Sequence, residues 1–120
     1  LNESAVEQTA ERLMELGARE MVAIHFPEGA YACRAGGDSA WQGSLALPKG
    51  YVQGAAGAGD AFCAGVLLGA HEEWSLERSL LAGTCAATAC LSNPTCTDGL
   101  RSLDECLALA EKFGVGPDET

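Results

Sequence analysis

Gly54-Ala55-Ala56-Gly57-Ala58-Gly59-Asp60 is a glycine-rich turn ending in a carboxylate, and Ala61-Phe62-Cys63-Ala64-Gly65 continues it as a run of mostly small residues. Residues without bulk let backbone N–H groups converge on an oxyanion, and a helix starting there adds its positive dipole end to the same spot. An aspartate at that place repels a resting phosphate. It makes sense where the site holds a transition state and Asp60 takes a proton from the attacking hydroxyl. The plain alternative, a glycine turn that only lets a helix pack tightly, is what composition alone favours.

Spacing separates this stretch from two commoner glycine motifs. Gly54 and Gly59 have the interval of a phosphate-binding P-loop, but Asp60 and Ala61 stand where that loop needs Lys and then Ser or Thr. A dinucleotide fingerprint beginning at Gly57 needs Gly or Ala at 62, and Phe62 is too large for that close contact.

The nine residues Gly57 to Gly65 resemble the C-terminal signature of the ribokinase-like (PfkB) carbohydrate kinases. Asn2-Glu3, Glu28-Gly29-Ala30 and Thr97-Asp98-Gly99-Leu100 fall in that family's order along the chain. The resemblance implies a ribokinase-like fold, a Rossmann-like layered α/β arrangement of which residues 1–120 are the C-terminal nucleotide-binding and catalytic portion. The N-terminal sugar-binding and lid part is then absent from this chain, and a homodimer, where formed, uses that lid. The implied reaction is ATP-dependent phosphorylation of a sugar hydroxyl with Mg2+. Asp60 is the general base, and Gly57, Ala58 and Gly59 form the anion hole. The isolated fragment is expected to be inactive. Two other readings stay open: a degenerate relative that binds nucleotide or sugar without turnover, and a kinase of a nucleoside or vitamin-like alcohol. A purely structural domain leaves the carboxylate in the anion cradle unexplained.

Three matches are incomplete. Asn2 corresponds to the Asn of the family's Asn-x-x-Glu motif and is placed near the nucleotide phosphates, but Ala5 fills the Glu position, so no residue is assigned as a metal ligand. The family's Thr-x-Gly-x-x-Gly loop reads Ile24-His25-Phe26-Pro27-Glu28-Gly29 here, which keeps Gly29 as the nucleotide-binding glycine. Two readings stay open for His25, a ligand contact or the commoner structural role, and two for Phe26, stacking on a base or a core or hairpin role. Gly54 stands where many relatives carry an Asp that helps bind a monovalent cation, leaving only backbone carbonyls for such an ion. By the same analogy the adenine lies between the 94–99 loop and the helix around Thr84, where plain helix packing is an equal reading.

Composition narrows the partners. Seven Lys/Arg against seventeen Asp/Glu give a net charge of −10, which argues against nucleic acid or an anionic membrane surface. No basic segment followed by an apolar one reads as a leader and no apolar run approaches a membrane span, so the expected location is cytoplasmic. The six cysteines (Cys33, Cys63, Cys85, Cys90, Cys96, Cys106) form no C-x-x-C pair and no zinc spacing with His25 or His71. Six is an even number, so a disulfide scaffold is the alternative, but helical periodicity and the absence of a leader pattern favour reduced, metal-free thiols.

Caps and periods fix the coarse elements. Ser4-Ala5-Val6-Glu7 fits a capping box for a helix near 5–16 that Gly17 stops. Met21 to Ile24 reads as a buried strand and Ala30 to Cys33 as its hairpin partner, with weaker strand character from Trp41 to Leu47. Helices are expected at 58–71, 76–91 behind Ser75, and 103–113 behind a second capping box at Ser102. Together they predict a short mixed sheet with helices layered on it and a frayed tail from Val115 to Thr120. Ala61, Gly65 and Gly69 form a small-residue stripe, and each mid-helix glycine costs ~1 kcal/mol relative to alanine. Close approach of another backbone is the expected compensation.

Overall fold

Short connections decide the sheet. Two residues, Pro27 and Glu28, join strand β1 (Met21–Phe26) to β2 (Gly29–Arg34), and four residues join β2 to β3 (Ser39–Gly43). Connections this short permit only antiparallel pairing, because a parallel pair needs a crossover of a dozen or more residues. The computed structural model, which describes residues 2–116 and only the backbone at 96 and 97, accordingly shows one three-stranded sheet in the order β1-β2-β3, antiparallel throughout. The expected mixed sheet is corrected on this point: among the described residues no parallel pair occurs.

Strand alternation sends successive β2 side chains to opposite faces. On one face Tyr31 packs with Val22 and with Ala10 of helix α1 (Glu3–Glu15). On the other, Ala30, Ala32 and Ala40 meet Phe62 and Val66 of α2 (Ala58–His71) and Leu76, Leu80 and Ala87 of α3 (Leu76–Leu91). Alanine on that face lets the helices settle close to the sheet. A short turn of helix, α4 (Cys96–Gly99), leads to α5 (Leu103–Phe113), whose Cys106 and Leu109 pack with Cys85 and Ala89 of α3 and with Leu45. Helix α3 thus lies between α2 and α5, which explains a sequence that is small or apolar nearly all round.

The stripe on α2 has the expected cause. A Cβ on Gly65 would sit 2.6 Å from Gly83 Cα and 2.9 Å from the Ala82 carbonyl carbon, and one on Gly69 would overlap the Ser79 side chain. The two backbones touch at this crossing. Ser75 and Ser102 cap their helices by accepting from Arg78 N and Glu105 N.

Two local expectations are corrected. Helix α1 is capped by Asn2, not Ser4: Asn2 has extended backbone (φ −100°, ψ 97°) and its Oδ1 accepts from Ala5 N at 3.1 Å. Ser4 lies inside the first turn. The tail is not frayed at its start, because Val115 bridges Leu45 and Gly116 N donates to Ser44 O at 2.7 Å. Residues 117–120 lie outside the described residues.

The cysteines depart from expectation as well. Cys33, Cys63, Cys85 and Cys106 are free, but Cys90 is disulfide-bonded. Sequence spacing reports how far apart cysteines lie along the chain, whereas a disulfide depends on Cα separation in space, and only the fold supplies that. Among the described residues no group of three or more His, Cys, Asp or Glu is placed to hold a metal. Burial pushes the Cys85 thiol up to about 11.

Replacing Gly65 by alanine is expected to reverse the usual helix preference and lower stability by about 1–3 kcal/mol through overpacking. Gly59→Ala, a position in α2 with nothing within 4 Å of the new Cβ, should be neutral or stabilising by up to ~1 kcal/mol. Urea denaturation of the two variants beside wild type checks the contrast. Thiol titration in denaturant is expected to find two more thiols after reduction than before. In the native state Cys63 should alkylate first and Cys85 last, read by mass spectrometry of the labelled peptides. The neutral Cys85 thiol favours the folded state fully below the ordinary thiol pKa, and that contribution is lost as pH rises through about 11.

Candidate active site

Gly57 turns the chain into α2. Its φ of 85° is left-handed, a conformation glycine adopts without steric cost, and it occupies the N-cap position with no side chain to cover the first-turn amides. Of the three residues expected to form the anion hole, Ala58 has its N–H directed to Ala55 O at 3.2 Å, while Ala61 N donates to Gly57 O at 3.0 Å. The N–H groups of Gly59 and Asp60 have no acceptor among the described residues. They are free donors at the positive end of the helix.

Asp60 is exposed on the first turn, with Cys63, Ala64 and Leu67 following it along the outward face. No cation pairs with it among the described residues. Its neighbour Phe62 points the other way, is 4% exposed, and stacks on His25 with ring centroids 4.2 Å apart and planes 4° from parallel. Part of the His25 ring is open to solvent, but the covered part is enough for burial to lower its pKa from the ordinary 6.5, so the imidazole is neutral at pH 7.

Behind that stack is a cavity of about 480 Å³ whose lining includes His25, Phe26, Leu45, Ala58, Thr84 and Thr88. Two of its polar side chains are engaged: Thr88 Oγ1 donates to Thr84 O and Ser44 Oγ to Pro27 O, each at 2.8 Å. Thr84 is not. It is 4% exposed and its Oγ1 has no hydrogen-bond partner. A buried hydroxyl without a partner costs about 1–3 kcal/mol, and a ligand in this cavity would relieve that cost. The His25 imidazole also has no hydrogen-bond partner among the described residues. Two polar groups in an otherwise apolar cleft suit a flat ligand with a hydrogen-bonding edge.

The other expected site residues are placed differently. Asn2 and Glu3 line a second cavity of about 1350 Å³, together with Glu28, Trp41 and Lys112. This cavity is larger, yet none of residues 54–60 lines it. Phe26, Pro27, Ser44, Leu45 and Leu47 border both. Asn2 and Thr84 therefore flank one partition from opposite sides, and the Asn2 amide oxygen is engaged as a helix cap. Gly29 lines neither cavity. A Cβ there would overlap the Gln42 carbonyl, so sheet packing explains this glycine. In the 94–99 segment, Thr95 donates to Asp98 Oδ2 at 2.8 Å, and the Thr97 side chain lies outside the description. Sequence reasoning left His25 between a structural role and a ligand contact. The structure places it in the cavity lining, and its sequence signal was an imidazole at a position that the Thr-x-Gly-x-x-Gly pattern leaves open.

The profile described as "pfkB family carbohydrate kinase" matches residues 1–103. The 5-dehydro-2-deoxygluconokinase of Geobacillus kaustophilus (strain HTA426) is 29% identical over 110 residues, 92% of this chain and 32% of that enzyme. The chain therefore spans about a third of that relative. Among solved structures, phosphofructokinase-2 from Escherichia coli in complex with substrates and products superposes with TM-score 0.72 at 23% identity, covering 94% of this chain and 35% of that one. The Methanocaldococcus jannaschii nucleoside kinase, described as an archaeal member of the ribokinase family, gives TM-score 0.72 at 20% identity over 93% of this chain and 38% of that one. These likenesses fix the fold as ribokinase-like, with this chain a part of it. Together with the match over residues 1–103, they place the chain in the pfkB family of carbohydrate kinases.

Proposed function

We propose that this chain supplies the phosphoryl-transfer half of an ATP-dependent kinase acting on a sugar or sugar-like alcohol. The observation that carries the reading is Asp60, exposed and without an ion-pair partner, beside the free N–H groups of Gly59 and its own backbone. Phosphoryl transfer asks the protein for positioning and for stabilisation of spreading negative charge rather than for covalent chemistry. The bound nucleotide supplies the γ-phosphoryl group. The first-turn amides and the helix dipole face its oxygens, with Gly57 and Ala58 shaping the approach, and Asp60 takes the proton of the attacking hydroxyl. Ala58 belongs both to this loop and to the lining of the Thr84 cavity, so a nucleotide with its phosphates at the loop has its base end directed to Thr84 and His25.

No set of three candidate ligands converges among the described residues, so magnesium would enter on the nucleotide phosphates. The acceptor pocket, a lid and any homodimer contact belong in this reading to sequence outside this chain. Positioning supplies much of the rate, so the 120-residue chain alone is inactive. A cytoplasmic setting suits an ATP-using enzyme, and no helix among the described residues is long and apolar enough to cross a membrane.

A non-catalytic relative is the second reading. It is favoured by Ala5 in the Glu position and by an Asn2 amide already engaged as a cap. Single-turnover phosphoryl transfer by the full-length protein separates the two.

In that protein Asp60→Asn is expected to cut turnover by about 10²–10⁴-fold with nucleotide affinity nearly unchanged, since Asn keeps the reach of Asp but cannot accept the proton. Near wild-type turnover would remove the base assignment. Gly59→Val should weaken both phosphate binding and chemistry. Thr84→Val should move two readouts in opposite directions. Unliganded stability should rise or stay level because an unpaired hydroxyl is gone, and ADP affinity should fall by roughly fivefold for one lost hydrogen bond. Unchanged affinity in calorimetry would place the base elsewhere.

A further inference from the structure

The base of the Asp60 loop is tied to α3 by two hydrogen bonds that its carbonyls accept. Gln53 N donates to Leu91 O at 2.7 Å, and Tyr51 Oη donates to Thr88 O at 3.0 Å. The next residue, Gly54, seats against the turn that follows α3. A Cβ at 54 would lie 3.1 Å from Pro94 Cα, 3.3 Å from Pro94 O and 3.5 Å from Asn93 O. That turn is itself stiff. Asn93 Oδ1 accepts from the N–H of Thr95 at 2.9 Å, and Pro94 has its φ locked by its ring.

A monovalent cation, which the resemblance associates with an aspartate at position 54, does not fit these residues. The carboxylate is missing, and the room its first carbon would need is filled by the Pro94 backbone. The Asn93 and Pro94 carbonyls, the oxygens closest to this position, abut Gly54 itself. An ion would have to part Gly54 from the 93–94 turn and would meet no formal negative charge on either.

We propose that direct packing of Gly54 on the 93–94 turn, with the Gln53–Leu91 hydrogen bond, replaces a monovalent cation as the tie that fixes the anion loop, so that nucleotide binding does not depend on potassium. The proposal rests on the phosphoryl-transfer reading of this loop. A cation would both hold the loop and add positive charge near the phosphates. A backbone tie only holds it, which leaves the field to the first-turn amides and the α2 dipole.

The test uses the full-length protein in KCl and in tetramethylammonium chloride at equal ionic strength. Melting temperature is measured with and without ADP, and ADP affinity by calorimetry. Melting temperatures are expected to coincide in the two salts and ADP affinities to agree within about twofold. A saturable rise in melting temperature specific to KCl, or a gain in ADP affinity of about tenfold or more, would overturn the proposal. ADP that binds in neither salt would sink the phosphoryl-transfer reading, while the melting curves without nucleotide would still decide whether potassium binds. Gly54→Asp should lower the melting temperature and ADP affinity in both salts by forcing the 93–94 turn aside. Rescue of that variant by KCl alone would show that the turn opens to a cation and would count against the packing tie. Gly54→Ala, with a single added carbon, should show the same losses to a smaller degree and covers the case in which the aspartate variant does not fold.

Discussion

The contact between Gly65 and Gly83 governs the geometry of this molecule. Two helices meet backbone to backbone only where neither carries a Cβ, and a carbon added at Gly83 would come within 2.8 Å of Phe62 O. Phe62 is two residues past Asp60, and Thr84 is one residue past Gly83. A single crossing therefore fixes the start of α2, where the carboxylate lies, and the face of α3 that presents the unpaired hydroxyl. Interiors transmit displacement because they are close-packed, so widening this crossing would separate the two ends of the candidate nucleotide site together. The ~1 kcal/mol that each glycine costs in helix propensity is offset by a contact no larger residue allows.

The site is electrostatically local. A chain with net charge −10 has no overall field to attract an anion, yet the first turn of α2 presents free N–H groups at a positive helix end. Gly57 makes that end accessible by having no side chain to fold back over the amides. Among the described residues no cation pairs with Asp60, and burial holds the His25 imidazole below its ordinary pKa. An acidic surface with a concentrated dipole site discourages polyanions such as nucleic acid while leaving room for a small phosphate ligand.

Helix α2 has two different faces for two tasks. Inward, Ala61, Phe62, Gly65, Val66 and Gly69 are buried against α3 and the sheet. Outward, Asp60, Cys63, Ala64 and Leu67 are exposed. The stack of His25 on Phe62 links the inward face to the end of β1, so the sheet, α2 and the Thr84 cavity share one small aromatic joint.

The sequence by itself determined what depends on neighbours along the chain. Ser75 and Ser102 marked helix starts because a cap is a hydrogen bond across three residues, and the bounds 58–71, 76–91 and 103–113 held. The order of glycines before Asp60 separated this loop from a P-loop because the missing Lys and Ser are adjacent positions. Tertiary structure decided what depends on proximity in space. The sheet became wholly antiparallel through the lengths of two connections. Asn2 displaced Ser4 as a cap because its backbone is extended, and Val115 is held by an isolated bridge to Leu45, some seventy residues earlier. Cys90 entered a disulfide that spacing did not disclose, and Gly29 lies where a Cβ would meet the Gln42 carbonyl of the neighbouring strand. The pairing of His25 with Thr84 in one cavity and the seat of Gly54 on Pro94 join segments about 60 and 40 residues apart. Packing free energy attaches to surfaces that meet only after the chain has folded, and no local pattern encodes which surfaces those are.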